Sequence, residues 1–274
     1  MIDAQTSYVA IFGNPVGHSL SPQMHNAGFS HLGLNMAYLA FNVDNAADVA
    51  AAIRTLGFRG GSITVPHKEK ITEHLDEIDE TSQSIGAVNT VHAQGGKLFG
   101  SNTDWIGVVR ALEQVTELRG KRCLVLGAGG AARAAIYGLQ KEKAYIFLMN
   151  RSESRGRQLA AEMNCTFVNW QSWDRLKVDI VVNATTVGMS TTRDQSLVPL
   201  HWLKDTMVIL DMVYLPLQTK LIKDAQQAGC VCVHGLDMLL YQGVAQFEVW
   251  TERVAPIEVM RKALMAAARA YDTP

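Results

Sequence analysis

The chain has 274 residues, 48% of them hydrophobic and 19% charged, with a formal net charge of −1. That length suits two domains of ordinary size better than one small core. Balanced charge leaves no electrostatic footprint for nucleic acid or an anionic membrane, and no apolar run approaches the ~20 residues that span a bilayer.

The opening MIDAQTSYVAIFGN lacks the basic start and long apolar core of a secretory signal. Four cysteines, Cys123, Cys165, Cys230 and Cys232, lie mostly in apolar, strand-like runs. Cys230 and Cys232 form C-x-C, but no second Cys or His cluster completes a zinc site, so buried thiols and no metal are expected. The expected setting is a reducing, cytoplasmic one.

Along the chain, short apolar strand patterns alternate with amphipathic helix patterns, the signature of an α/β fold. YVAIFG (Tyr8–Gly13) reads as a strand. SLSPQMHNAGFSHLGL follows as loop and helix, with Ser21 expected at the N-cap and Pro22 at the first helical position. AYLAFNV is a second strand, Asp44 to Leu56 an Ala-rich helix, and GSITV a third strand. Pro66 offers no N–H to a ladder, so it is expected to stop that strand and deliver His67 and Lys68 at its C-terminal end. Open α/β sheets hold ligands at such ends, although an isolated lysine there is ordinarily a solvated loop residue. VNTVHAQGGKLFGSNTD reads as a hairpin turning at Gly95-Gly96, with a helix from about Trp105 to Glu117 after it.

At Arg119-Gly120-Lys121 the pattern restarts. RCLVLGAGGAARAAIYGL reads as strand, glycine-rich turn and helix. AYIFLMN, VDIVVNAT, MVILDMVY and CVCVH are further strands, separated by polar helices such as Ser154–Met163 and Gln218–Ala228. From Leu236 onward two helical segments, broken near Pro256, close the chain. No internal repeat or low-complexity tract is visible. The expected organisation is an α/β domain over residues 1–105, a nucleotide-type α/β domain over 106–235, and C-terminal helices over 236–274 packing back on the first domain.

VLGAGGAARA (Val125–Ala134) fits the G-x-G-x-x-G/A fingerprint through Gly127, Gly129 and Ala132. The first glycine makes the tight turn and the second lets backbone approach a pyrophosphate. The third small residue permits close helix–strand packing, and the phosphates face the helix N-terminus. Alone the pattern is weak, because glycine-rich turns also serve ordinary packing; between a strand and a helix it points to a dinucleotide.

The place about 20 residues on, where NAD-binding folds usually carry Asp or Glu for the ribose 2′-OH, holds Asn150-Arg151-Ser152, with Arg155 a turn later. Guanidinium groups clamp a 2′-phosphate that a carboxylate would repel. They are otherwise surface arginines, but cations at a helix N-terminus oppose the macrodipole, and an anion there resolves the misfit. NADP is the cofactor expected.

GHSLSPQMHN, SITVPHK, GAVNTV and SNTDWIG all fall at strand ends or turns, and NATTVGM, DMVYLPLQT and GLDMLLYQG follow later. In this order and spacing they resemble the shikimate dehydrogenase family, over nearly the whole chain. The resemblance implies a substrate domain plus a Rossmann-type domain, and reversible NADP-dependent reduction of 3-dehydroshikimate to shikimate in aromatic amino-acid (chorismate) biosynthesis. It implies that Ser19 and Ser21 bond the substrate carboxylate and that Thr64, Asn89, Asp104 and Gln242 bind ring hydroxyls. By the same resemblance Lys68 and Asp104 form the catalytic pair and Tyr214 helps close the site. Ala128, Gly130, Ala131, Thr185, Met212 and Gly235 then line the cofactor with Gly127, Gly129, Asn150, Arg151, Ser152 and Arg155. His18, His25 and His67 are expected to pack or cap. The implied state is a monomer or homodimer with a small-molecule substrate and neither nucleic acid nor membrane as partner.

Three positions depart from the family pattern: Ser62 stands where Asn is usual, Gly243 where Ala is commoner, and Ser152 where Thr is more usual. Ser62 implies a wider or wetter pocket and keeps a quinate/shikimate dehydrogenase using NAD or both cofactors as the alternative. A non-catalytic NADP-binding sensor is the alternative of another class. Retention of both Lys68 and Asp104 argues against it.

Overall fold

The computed structural model describes residues 2–272. They form two compact units, one holding the chain up to Thr103 together with Gln242–Ala267, the other Asp104–Tyr241 and the chain beyond Ala268.

In the first unit, β1 (Ser7–Gly13) runs parallel to β2 (Met36–Asn42) on one side and β3 (Gly60–Ile63) on the other. The short β4 (Glu77–Ile78) and the hairpin β5 (Thr90–Gln94) and β6 (Lys97–Ser101) complete a mixed sheet in the order β2-β1-β3-β5-β6-β4. The hairpin turns at Gly95 and Gly96, both at positive φ, as glycine permits. Helix α2 (Ala46–Leu56) is capped by Asn45, whose side chain accepts from the Asp48 N–H at 3.0 Å, and is stopped by Gly57 at φ 74°. Its Val49, Ala50 and Ile53 pack with Ala10, Phe12, Ile63 and Val91 in one core.

Two expectations change here. In α1 (Ser21–His31) the N-cap is Leu20, not Ser21, and Pro22 lies in the first turn. Ser21 donates its backbone N–H to Ser19 Oγ at 3.3 Å, so Ser19 supplies the local hydroxyl acceptor. The regular part of β3 ends at Ile63, before Pro66 is reached. Sheet-like bonds nonetheless continue: Thr64 N donates to Phe12 O and Asn14 N to Val65 O. Helix α3 (Glu80–Ile85) and β4 were not foreseen; six and two residues are too few to establish a period.

The second unit opens with α4 (Asp104–Glu113), shorter at its C-terminus than the sequence pattern indicates. Then come β7 (Arg122–Leu126), α5 (Gly130–Lys141), β8 (Tyr145–Met149), α6 (Glu153–Glu162), β9 (Thr166–Phe167) and β10 (Ile180–Asn183). They are followed by β11 (Val208–Asp211), α7 (Lys220–Gln227), β12 (Val231–His234) and the first residues of α8 (Gly235–Thr251); α8 from Gln242 onward and most of α9 (Ile257–Asp272) belong to the first unit. The sheet order is β12-β11-β10-β7-β8-β9, all parallel. Order reverses between β7 and β10, which is where such sheets open a ligand crevice.

Alternation along the central strands feeds two cores, as a sheet covered on both faces requires. Cys123, Val125, Ile180 and Val182 pack with α4, α5 and α6. Leu124, Leu126, Val181 and Ile209 face the opposite way, toward Leu221 and Ala225 of α7. The four cysteines are free thiols. Cys123 and Cys230 are buried, whereas Cys165 and Cys232 are only partly so; burial pushes the Cys123 thiol up to about 12.

Candidate active site

The glycine-rich turn begins at Gly127, which follows β7 at φ 111°, a conformation that side chains other than glycine's rarely adopt. A Cβ there would also lie 3.0 Å from Thr185 Cγ2 and 3.1 Å from Ala184 O, so the loop after β10 approaches this turn closely. Gly129 is the N-cap of α5, and a Cβ added to it meets nothing within 4 Å. Backbone at the N-terminus of this twelve-residue helix is therefore approachable, which suits a pyrophosphate. Ala128 is buried, Gly130 and Ala131 form the half-buried first turn, and Ala132 is fully buried against the sheet. These residues fit a dinucleotide.

At the end of β8, the Asn150 side chain donates to Ser152 O at 2.9 Å, and Ser152 caps α6 through the Arg155 N–H. Trp170 Nε1–H holds the Asn150 carbonyl at 3.1 Å. Arg151 and Arg155 are exposed, and Arg151 makes no ion pair among the described residues. Two cations thus stand at the start of a helix with no carboxylate engaging Arg151.

Across the switch point, Asn183 at the end of β10 accepts from Thr185 N and Oγ1 and donates to Asp211 Oδ1 at 2.9 Å. Asp211 also accepts from Val213 N at 3.1 Å and from Thr219 Oγ1 at 2.6 Å. Thr185, Met212 and the half-buried Tyr214 sit on the two loops that this carboxylate ties together. Gly235 opens α8, and a Cβ there would lie 2.7 Å from the Val213 carbonyl; its small size serves this close approach. Asn183, Asp211 and Thr219 were not singled out from sequence. Their signal is a polar residue closing each of the apolar runs VVN and VILD.

In the first unit, Ser19, Thr64 and Lys68 are half-buried and Ser21 is buried. Gly13 lets the segment after β3 cross β1's end, since a Cβ there would stand 2.3 Å from Thr64 Cγ2. Lys68 is fixed through its backbone, its carbonyl accepting from Val88 N at 2.8 Å. Asn89 is 2% exposed. Its Oδ1 accepts from Thr103 N and from Thr90 Oγ1, both at 2.7 Å, and its Nδ2 donates to Thr103 Oγ1 at 3.0 Å and Gln242 Oε1 at 3.3 Å. Asn89 and Gln242, 153 positions apart, are thereby brought together. Thr90 and Thr103 belong to this cluster and were missed, because threonines in a hairpin look like ordinary strand residues. Asp104, buried, is the first residue of α4 and follows directly on Thr103.

Of the three histidines expected to pack or cap, His25 and His67 pack in the interior, whereas His18 is half-buried. His67 is buried with Nε2 2.7 Å from Val43 O, and His25 is fully buried against Tyr38. Gly243 has a packing reason: a Cβ would come 2.2 Å from Met24 Cε. Ser62 leaves no opening of its own, being 6% exposed and bonded to Tyr38 and Gln246.

Three family profiles match the chain in succession. The shikimate dehydrogenase substrate binding domain covers residues 11–91, shikimate / quinate 5-dehydrogenase residues 110–213, and the shikimate 5'-dehydrogenase C-terminal domain residues 235–265. A shikimate dehydrogenase (NADP(+)) of Syntrophobacter fumaroxidans is 43% identical over 256 residues, covering 92% of this chain and 90% of its own. A crystal structure of a shikimate dehydrogenase in complex with NADP+ is 40% identical with a TM-score of 0.92, covering 97% of both chains. The Thermus thermophilus enzyme in complex with NADP(H) and shikimate is 35% identical with a TM-score of 0.89, covering 95% of this chain and 99% of its own. With two α/β units, a dinucleotide turn at Gly127–Gly130 and identity of this extent over nearly its full length, the chain belongs to the shikimate dehydrogenase family.

Proposed function

We propose that this protein reduces 3-dehydroshikimate to shikimate reversibly with NADP, in chorismate and aromatic amino-acid biosynthesis. The observation that carries this reading is the buried Asn89–Thr103–Gln242 cluster in the same unit as Thr64 and Lys68, with the Asn89 carbonyl accepting from Ile63 N and the Lys68 carbonyl from Val88 N. A small polyol acid has little apolar surface, so its site must be built from hydroxyls, amides and ions. In this reading residues 1–105 bind substrate, residues 106–235 bind NADP, and the helices of 236–274 return to the substrate domain, with Gln242 as their contribution.

Gly127–Ala131 would hold the pyrophosphate at the start of α5, Asn150, Arg151, Ser152 and Arg155 the 2′-phosphate end, and Thr185, Met212 and Gly235 the nicotinamide end. NADPH, when bound, supplies hydride to the carbonyl carbon. The ketone oxygen then gains negative charge, and Lys68 donates the proton that completes the hydroxyl; in the reverse direction its neutral amine takes that proton back. Asp104 orients the ammonium and holds the reacting hydroxyl. Ser19 and Ser21 fix the carboxylate, while Thr64, Asn89 and Gln242 select the ring hydroxyls and Tyr214 helps close the site. Four free thiols accord with a reducing, cytoplasmic setting, and among the described residues no helix is long and apolar enough to cross a membrane.

A spectrophotometric assay with shikimate and quinate, each against NADP and NAD, tests this reading. Turnover dominated by shikimate with NADP is expected. Comparable rates with quinate and NAD would replace it with the quinate/shikimate dehydrogenase alternative, and tight NADP binding without turnover of either acid would favour a sensor.

A further inference from the structure

Six polar side chains run through the interior of the first unit: Tyr38, Ser62, Gln246, Thr90, Asn89 and Gln242, each at most 6% exposed. Buried polar groups must be paired, and two anchors fix which way every proton in this run points. The Asn89 carbonyl can only accept, and Gln246 Nε2 donates to it at 3.1 Å and to Thr90 Oγ1 at 2.9 Å. That turns Gln246 Oε1 toward Ser62, whose hydroxyl donates to it at 2.8 Å. Ser62 Oγ in turn accepts the Tyr38 hydroxyl proton at 2.6 Å.

The second anchor is the Thr103 N–H, which can only donate and meets Asn89 Oδ1 at 2.7 Å. Thr90, having accepted from Gln246, donates to the same oxygen at 2.7 Å. The Asn89 amide therefore cannot flip, and its two Nδ2 hydrogens go to Thr103 Oγ1 at 3.0 Å and Gln242 Oε1 at 3.3 Å. Gln242, accepting through Oε1, presents its Nε2 donor on its other side.

We propose that Gln246, backed by Ser62 and Tyr38, is a positioning relay that, through Thr90 and Asn89, holds the Gln242 carbonyl inward and so sets the Gln242 amide as a hydrogen-bond donor toward a substrate hydroxyl oxygen. The proposal rests on the reading of Gln242 as a ligand of shikimate. None of the three relay residues needs to touch substrate. Their effect is on the polarity of the one amide that does, so the site selects an acceptor oxygen at that position.

The test is a graded series, Gln246→Met, Ser62→Ala and Tyr38→Phe, measured by KM, by calorimetric titration with shikimate alone, and by Tm. Gln246→Met keeps side-chain length but removes both donor and acceptor. It is expected to raise the shikimate KM and Kd by about tenfold, with KM for NADP within roughly twofold of wild type. Ser62→Ala removes only the donor to Gln246 and should weaken shikimate by about fivefold, and Tyr38→Phe, one bond further back, by about twofold. A general packing defect would instead lower Tm without separating the two substrates. Should Gln246→Met fail to fold, Ser62→Ala carries the same comparison. Unchanged shikimate affinity in a folded Gln246→Met or Ser62→Ala variant, or equal losses for shikimate and NADP, would overturn the relay. The two failures are separable, because a wild type that does not bind shikimate sinks the ligand reading itself.

Discussion

Asn183 and Asp211 are register partners at the ends of adjacent parallel strands, and the Asn183 amide donates to the Asp211 carboxylate at 2.9 Å. Asp211 is fully buried, and burial pushes its carboxyl up to about 6 against the hydrogen bonds from Thr219, Val213 and Asn183 that pull the other way. The native protein thus holds this proton more tightly than the unfolded chain. The corresponding stability is present in full below about pH 4 and is lost as pH rises through about 6, up to ~3 kcal/mol. Asp211→Asn removes the titration. Urea unfolding of both proteins at several pH values should show wild type losing stability relative to the variant between pH 4 and 7. Parallel profiles would contradict the assignment.

His25 contributes with the opposite sign. It stacks on Tyr38 at 4.5 Å and 2°, neither ring nitrogen has a hydrogen-bond partner among the described residues, and burial holds its imidazole down to about 3. The unfolded chain takes up this proton below about pH 6.5 and the native protein does not, so stability falls as pH drops from 6.5 toward 3, by at most roughly 4–5 kcal/mol. His25→Phe should flatten this acid limb. The comparison is the Tm difference between pH 7 and pH 4.5 in wild type and variant, and equal differences would remove His25 as the cause.

Lys68→Ala is expected to lower kcat by about 10²–10⁴-fold, the usual worth of general acid–base catalysis, with a much smaller change in KM. Steady-state kinetics in both directions check it. A variant with near-normal kcat would exclude Lys68 from proton transfer.

Arg151→Ala should raise KM for NADP by at least about tenfold, corresponding to ~1.4 kcal/mol for a lost charge-assisted contact. The NAD-linked rate should barely move, Arg155→Ala should act in the same direction, and salt should shrink both effects because both side chains are exposed. Equal losses with both cofactors would assign Arg151 to the fold.

The sequence by itself determined what depends on local pattern. Alternating apolar runs gave the strands, glycines at 127 and 129 the dinucleotide turn, and Gly95-Gly96 the hairpin, because backbone conformation and period-two burial are written residue by residue. Motif order carried the family and singled out Lys68, Asn89, Asp104 and Gln242 as the residues proposed for the site. What only the tertiary structure decided are the pairings between distant positions. Gln246 reaches Ser62 and Asn89 across 184 and 157 positions, and Trp250 Nε1–H reaches the Val91 carbonyl across 159. No local signal marks Gln246 or Tyr38, since a buried amide or phenol takes its meaning from the partner that burial forces upon it.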